Sequence, residues 1–314
     1  MTTNIPGTRR LDLVIIGGGP AGMSAALTAG RALLDATIVN AETPRNSVTT
    51  ASHGFLTRDG VHPSELLAIA KQQLATYDTV RYLNDTIVST LQTADGFDVA
   101  LADGSVLRAK RLMIATGHTD DLGLLNLAGI EDVYGKSVYP CVFCDGFEHR
   151  GERLALFGGE SAVHYAPMIR LWTDDLAVFT NGETLDADAV DELAHHDVTV
   201  YAQAVRRLEA QDGHLQAVEL ETGERIERDA GFISDEYSNP TTTFPESLGV
   251  TSSPTDWGTT ALDAADTGGT NIDGLYVAGD AKTGFSGVVG AAAEGAACAE
   301  SIVHEIAAER WSRR

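Results

Sequence analysis

Two thiols three positions apart, Cys141 and Cys144, stand directly before a carboxyl, Asp145. Cysteines at this spacing can close a short disulfide, and neighbouring helix N–H groups can lower a thiolate pKa. A carboxyl beside such a pair can shuttle the proton that thiol–disulfide exchange requires. Zinc would need two more ligands, no second cysteine pair exists, and His149 alone does not complete a site, so no metal is expected. The plain alternatives are inert core thiols and a helix-capping role for Asp145. Cys298 sits in the Ala-rich stretch GAAAEGAACAES and reads as a packing residue. His53 and His164 are candidates to approach a redox group or a bound thiol, and equally ordinary surface or core histidines.

A second chemical feature lies near the start. Gly17-x-Gly19-x-x-Gly22, read as GGGPAG with Pro20 and Ala21, follows the apolar run Leu11–Ile16 and opens a small-residue helix. The first glycine permits a tight turn, the second lets backbone approach a pyrophosphate, and the third allows close helix–strand packing. Helix-terminal N–H groups then hold phosphates. The acidic residue expected about 20 positions on, at the end of the next strand, is replaced by Asn40, with Glu42 two further. Asn40 can still bond a ribose hydroxyl. Ala115-Thr116-Gly117 ends another buried strand, and GLYVAGDA places Gly279 and Asp280 before a helix.

These residues need a scaffold of buried parallel strands. LDLVII, RLMIATG, RLALF, LAVF and LYVAGD are continuous apolar runs of the kind buried on both sheet faces. Two β–loop–α–β units follow, one from Leu11 and one from Arg153. The polar stretch SDEYSNPTTTFPES reads as a crossover back to the first domain, and an Ala-rich helix spans about Val288 to Trp311. The expected fold is α/β, with two doubly wound Rossmann-like domains, the second inserted in the first. Residues 1–118 and 242–314 form the first domain, and residues 119–241 the second, carrying the cysteine pair.

Composition sets outer bounds. At 314 residues and 43% hydrophobic, the chain suits two packed domains. A net charge of −23 repels nucleic acid and anionic lipid, so neither is an expected partner. Only four of the 22 basic residues are lysine, which fits a salt-loving or high-GC source as well as ordinary solubility. No apolar run approaches the roughly 20 residues a membrane helix needs. The start reads as a first strand running into a glycine loop rather than a signal peptide, so the expected location is cytoplasmic.

The order GGGPAG, ATG, central CxxCDG, second nucleotide loop and late GD motif resembles the low-molecular-weight thioredoxin reductases over essentially the whole chain. That resemblance implies FAD in the first domain, with Asp280 on the ribityl chain, and a homodimer. It also implies a disulfide that exchanges electrons with the flavin, with Cys144 facing it, Cys141 attacking substrate and Asp145 as the acid. HGFLTRDG at His53–Gly60, with Pro44–Asn46, resembles the branch that includes the gliotoxin- and holomycin-type dithiol oxidases, which close disulfides in small molecules. Their motif usually reads Cys-x-x-Cys-His, and Asp145 departs from it towards the reductases.

The second nucleotide loop departs from the reductase pattern GxGxxA. Aligning LALF leaves it one residue short; aligning SAV puts Phe157 at the first glycine. Either way Glu160 brings a carboxylate near the pyrophosphate position. Where reductases carry arginines for the 2′-phosphate, this chain has FTNGETLDAD, with no base. This argues against NADPH and, less strongly, against NADH. The expected activity is FAD-dependent thiol–disulfide exchange on a small-molecule dithiol or disulfide or a thioredoxin-like protein, leaning to dithiol oxidation. The alternatives are a thioredoxin-disulfide reductase, using crossovers near Thr116–Asp121 and Ser234–Pro240 as hinges, and a redox sensor without turnover.

Overall fold

In the computed structural model, residues 10–234, 236–255 and 259–312 are described. Residues 1–9, Asp235 within the expected crossover, 256–258 and 313–314 lie outside them. The chain divides into two compact units, one of residues 1–45, 64–119 and 238–314, the other of residues 46–63 and 120–237. Segment 46–63 packs with the second unit, a difference from the continuous 1–118 expected of the first. The resemblance carried by His53–Gly60 therefore belongs to the unit that holds the cysteines.

The first unit opens with β1 (Leu11–Ile16), α1 (Pro20–Arg31) and β2 (Ala36–Asn40). After α2 (Pro63–Leu74) come β3 (Val80–Asn84), β4 (Ile87–Thr93), β5 (Gly96–Leu101) and β6 (Val106–Ile114). The sheet order is β3-β2-β1-β6-β5-β4. β1 pairs in parallel with both β2 and β6, so all six of its residues are buried. The first half of β6 instead pairs antiparallel with β5, which gives the sheet a mixed edge. β7 (His118–Asp120) leads out of this unit.

The second unit contains α3 (Ile130–Val133), β8 (Val138–Tyr139), α4 (Val142–Asp145), β9 (Leu154–Phe157), α5 (Glu160–Ile169), β10 (Leu176–Phe179), α6 (Ala187–His195) and β11 (Thr199–Tyr201). β12 (Val205–Gln211), β13 (His214–Leu220) and β14 (Arg225–Glu227) form an antiparallel ribbon before β15 (Ala230–Ile233). The parallel sheet runs β11-β10-β9-β15-β8. Its first four strands repeat the β3-β2-β1-β6 order of the first unit, with an antiparallel excursion at the same point of the chain. The two units are therefore built on one plan, as the paired β–loop–α–β patterns suggested.

The chain returns through β16 (Ser238–Pro240), which pairs with β7; the His118 and Ser238 side chains meet at 3.1 Å. α7 (Phe244–Ser247), β17 (Ser252–Pro254) and β18 (Thr260–Leu262) precede β19 (Leu275–Val277), which adds in parallel to β6. α8 (Asp280–Thr283) and the long α9 (Gly287–Ser312) complete the first unit. Ala21, Ala25, Ala291, Cys298 and Ile302 share one core cluster, so small side chains let α1 and α9 pack closely. Among the described residues no helix is long and apolar enough to cross a membrane.

Candidate functional site

In the first unit β1 stops at Ile16 and α1 begins at Pro20, with Gly19 at its N-cap. The three-residue loop turns at Gly17, whose φ of +105° disfavours any side chain and whose Cβ would run into the Ala115 carbonyl. A Cβ on Gly22 would collide with the Gly17 carbonyl, so helix and loop touch through backbone alone. In front of Gly19 the space is open, with nothing within 4 Å of a built Cβ. No side chain caps α1, and its first turn carries no acidic residue. A helix start with no acid and open space in front of its N-cap fits a cradle for a pyrophosphate.

The surrounding residues complete that cradle. Asn40 accepts a hydrogen bond from the Gly18 N–H (3.1 Å) and donates to the Tyr82 hydroxyl (2.8 Å), so it pins the loop to the end of β2. Glu42 is engaged by Lys71, Tyr82 and Asn84. Ala115–Gly117 extend β6 against Gly17, and Gly117 has φ +66°. Gly279 donates its N–H to Glu294 (3.1 Å). Asp280 accepts from both the amide (3.0 Å) and the hydroxyl (2.9 Å) of Ser286, and its other oxygen lies 3.5 Å from Arg45. Arg45 in turn covers the Phe285 ring at 5.4 Å. The sequence pattern singled out Asp280 but not Phe285 or Ser286, and it used Arg45 only as part of a resemblance. The glycine cradle and the anchored Asp280 fit a flavin dinucleotide.

In the second unit Cys141 caps the single turn α4 and is joined to Cys144 in a disulfide, with Cα atoms 5.3 Å apart. Cys141 is buried and Cys144 half-buried. Phe143, between them, is 73% exposed and sets its ring edge-on to Trp172. Burial pushes the Asp145 carboxyl up to about 6; His53 and His149 pull it back, while Glu148 pushes further. His53 arrives from the distant segment 46–63 and lies 3.6 Å from Asp59 and 3.7 Å from Glu148. His149 spans the Glu152 carboxylate (2.7 Å) and the Tyr139 hydroxyl (3.2 Å), so both ring nitrogens have partners. The structure therefore gathers Cys141, Cys144, Asp145 and His53, and adds Glu148, His149 and Tyr139. His164 stands exposed on α5. Cys298 is buried in the first unit, where desolvation pushes its thiol up to about 12 and leaves it inert. Among the described residues no group of three or more metal-ligating side chains could hold an ion.

The second nucleotide loop has only Gly158 and Gly159 between β9 and α5, against three residues in the first unit. The alignment that leaves it one residue short is the one the structure adopts. Glu160 occupies the first turn of α5, and the Glu183 carboxylate lies against Gly159. A cavity of about 210 Å³ beside this loop is lined by residues including Leu125, Phe157, Gly158, Phe179 and Glu183.

Residues 11–295 match the pyridine nucleotide-disulphide oxidoreductase family. The chain belongs to that family. It is 28% identical over 310 residues to thioredoxin reductase aclD of Aspergillus oryzae, covering 94% of this chain and 96% of that one. The protein TrxB of Bacillus anthracis, described as a candidate thioredoxin reductase, superposes with a TM-score of 0.87 at 33% identity, covering 96% and 99%. HlmI superposes with a TM-score of 0.89 at 28% identity, covering 97% and 95%. This family member is a thioredoxin reductase-like flavoprotein oxidoreductase with a cysteine pair, and the family implies FAD and disulfide substrates.

Proposed function

We propose that the protein oxidises a dithiol substrate to a disulfide, with FAD in the first unit and without NADPH. The observation that carries the direction is the acidic second loop: Glu160 and Glu183 stand at the N-terminus of α5, and no base follows β10 up to α6. A pyrophosphate would meet like charge there, and a 2′-phosphate would find no arginine fork. The reductase reading keeps one specific support, the Asp145 acid.

With the roles the resemblance implies, one substrate thiolate attacks the sulfur of Cys141, the more buried of the pair in the oxidised form, forming a mixed disulfide and releasing Cys144 as a thiolate. The second substrate thiolate then attacks the substrate sulfur of that mixed disulfide, closing the product and releasing Cys141. Asp145, ionised above about pH 6, takes up a proton from the incoming dithiol. Bound at Gly17–Gly22, Ala115–Gly117 and Gly279–Asp280, FAD would supply the two-electron couple that restores the disulfide, with dioxygen or another oxidant as final acceptor. A cytoplasmic homodimer acting on a small molecule or a thioredoxin-like protein fits this reading.

The test is steady turnover of holoprotein in air with a small dithiol, read as dioxygen uptake. Uptake that Cys141→Ser abolishes supports the oxidase reading. Reduction of a thioredoxin-like disulfide by NADPH at a higher rate would replace it with the reductase.

A further inference from the structure

Glu183 stands out because nothing in dithiol oxidation uses it. It closes the turn Thr180–Glu183 directly after β10. Asn181 and Gly182 both have positive φ, at +50° and +94°, the signature of a tight type I′ turn. The Glu183 N–H donates to the Thr180 carbonyl (3.0 Å), and the Thr180 hydroxyl donates to the Glu183 carbonyl (2.6 Å). Asn181 locks the turn from the side, donating to the Asn126 carbonyl (3.2 Å) and accepting from the Val205 N–H (2.9 Å). The Glu183 backbone is thereby fixed, and its Oε2 packs against Gly159 so closely that any Cβ there would collide with it.

Gly159 is the N-cap of α5, a helix of ten residues. In the equivalent place of the first unit, at Gly19, nothing lies within 4 Å of a built Cβ. Each loop meets a side chain from at or beyond the end of its second strand: the neutral Asn40 amide lies against Gly18 in the first, and the Glu183 carboxylate lies against Gly159 in the shorter second, so only the second loop brings an acid to its helix N-cap. We infer that Glu183 is a built-in occupant of the second dinucleotide loop, a carboxylate of the chain itself in the place of a pyrophosphate. The loop is shut to anionic dinucleotides by this side chain, with Glu160 in the first turn adding to the repulsion.

This inference deepens the oxidase reading and rests on it for its meaning, because an oxidase has no need of a nucleotide site. Its test does not use thiol turnover. Binding of ADP-ribose and of inorganic pyrophosphate to the FAD-loaded protein is measured by titration calorimetry for the natural chain, Glu183→Gln, Glu183→Ala and the double variant Glu160→Gln/Glu183→Ala. Flavin content and the thermal transition certify that each is folded. Glu183→Gln keeps the volume of the side chain and serves if the alanine variants do not fold.

The natural chain is expected to bind neither probe below about 1 mM, a free energy of only ~4 kcal/mol. Glu183→Gln should gain affinity, and the double variant should bind ADP-ribose at least ten-fold more tightly than the natural chain. Dithiol turnover should be unchanged in all three variants. Binding of ADP-ribose by the natural chain in the micromolar range overturns the inference, as does a folded double variant, or a folded Glu183→Gln where that alone folds, with no gain. Loss of the oxidase reading would appear separately, as absent dithiol turnover in the natural chain.

Discussion

Replacing Asp145 with asparagine removes one proton-binding group and little volume, so its effect can be worked from the structure. Burial raises this carboxyl from 3.8 to about 6. At about 1.36 kcal/mol per tenfold change in proton affinity, the folded protein disfavours the charged form by ~3 kcal/mol. The folded-state pKa is raised, so the fold binds more protons than the unfolded chain between about pH 4 and 6, and its stability falls as pH rises through that window. At pH 8 the carboxylate is charged and the full cost is present; at pH 3.5 it has vanished. Asp145→Asn should therefore stabilise the oxidised protein at pH 8 by up to ~3 kcal/mol and at pH 3.5 by almost nothing. Chemical denaturation at the two pH values reads this directly. The same substitution should slow reduction of the Cys141–Cys144 pair by a small dithiol about 100-fold at pH 8. The ratio of natural to variant rates should fall as pH drops through about 6, which cancels the titration of the substrate thiols themselves. A variant less stable than the natural chain at pH 8, with a rate ratio flat in pH, would refute both the burial argument and the proton role.

Other substitutions probe separate links. His53→Ala removes a group that holds the Asp145 carboxyl down, so the bend in the rate ratio should move above pH 6; an unmoved bend means His53 is a bystander. Arg45→Ala removes the cation that meets Asp280 and covers Phe285, and should weaken FAD retention about ten-fold (~1.4 kcal/mol), measured by flavin release on dilution. Gly22→Ala drives a methyl into the Gly17 carbonyl and should cost about 2 kcal/mol or more, seen as a lower denaturation midpoint and poor flavin loading. Cys298→Ala should leave dithiol turnover intact and cost about 1 kcal/mol of stability; lost turnover would give that thiol a redox role.

The parts legible in the sequence are those fixed by local rules. A buried strand, a glycine turn and a small-residue helix are neighbours in the chain, so β1, Gly17–Gly22 and α1 could be read in one pass. The redox pair was legible for the same reason, its two thiols being one helical turn apart. The antiparallel ribbon carries a weak signal: β12 buries only Val205 and Leu208 among exposed charges, and β14 only Ile226. Contacts set by the whole fold were not legible. His53 was one of two candidate histidines, but which of them reaches the redox unit is set by the fold: its segment is flanked on both sides by first-unit chain. Glu183 looked like one acid among several, because its approach to Gly159 depends on the Asn181–Gly182 turn and on the register of β9 with β10. The shortened second loop showed in the sequence as two competing alignments, and strand and helix ends decide between them.

Anaerobic flavin absorbance tests the central claim most directly. The purified FAD-loaded protein is mixed with NADPH, with NADH, or with dithiothreitol, and the flavin band is followed. Bleaching by dithiothreitol alone, lost in Cys144→Ser and reversed by air, is the predicted result. Rapid bleaching by NADPH or NADH, with none by dithiothreitol, would contradict the account and show the second loop at work as a nucleotide site.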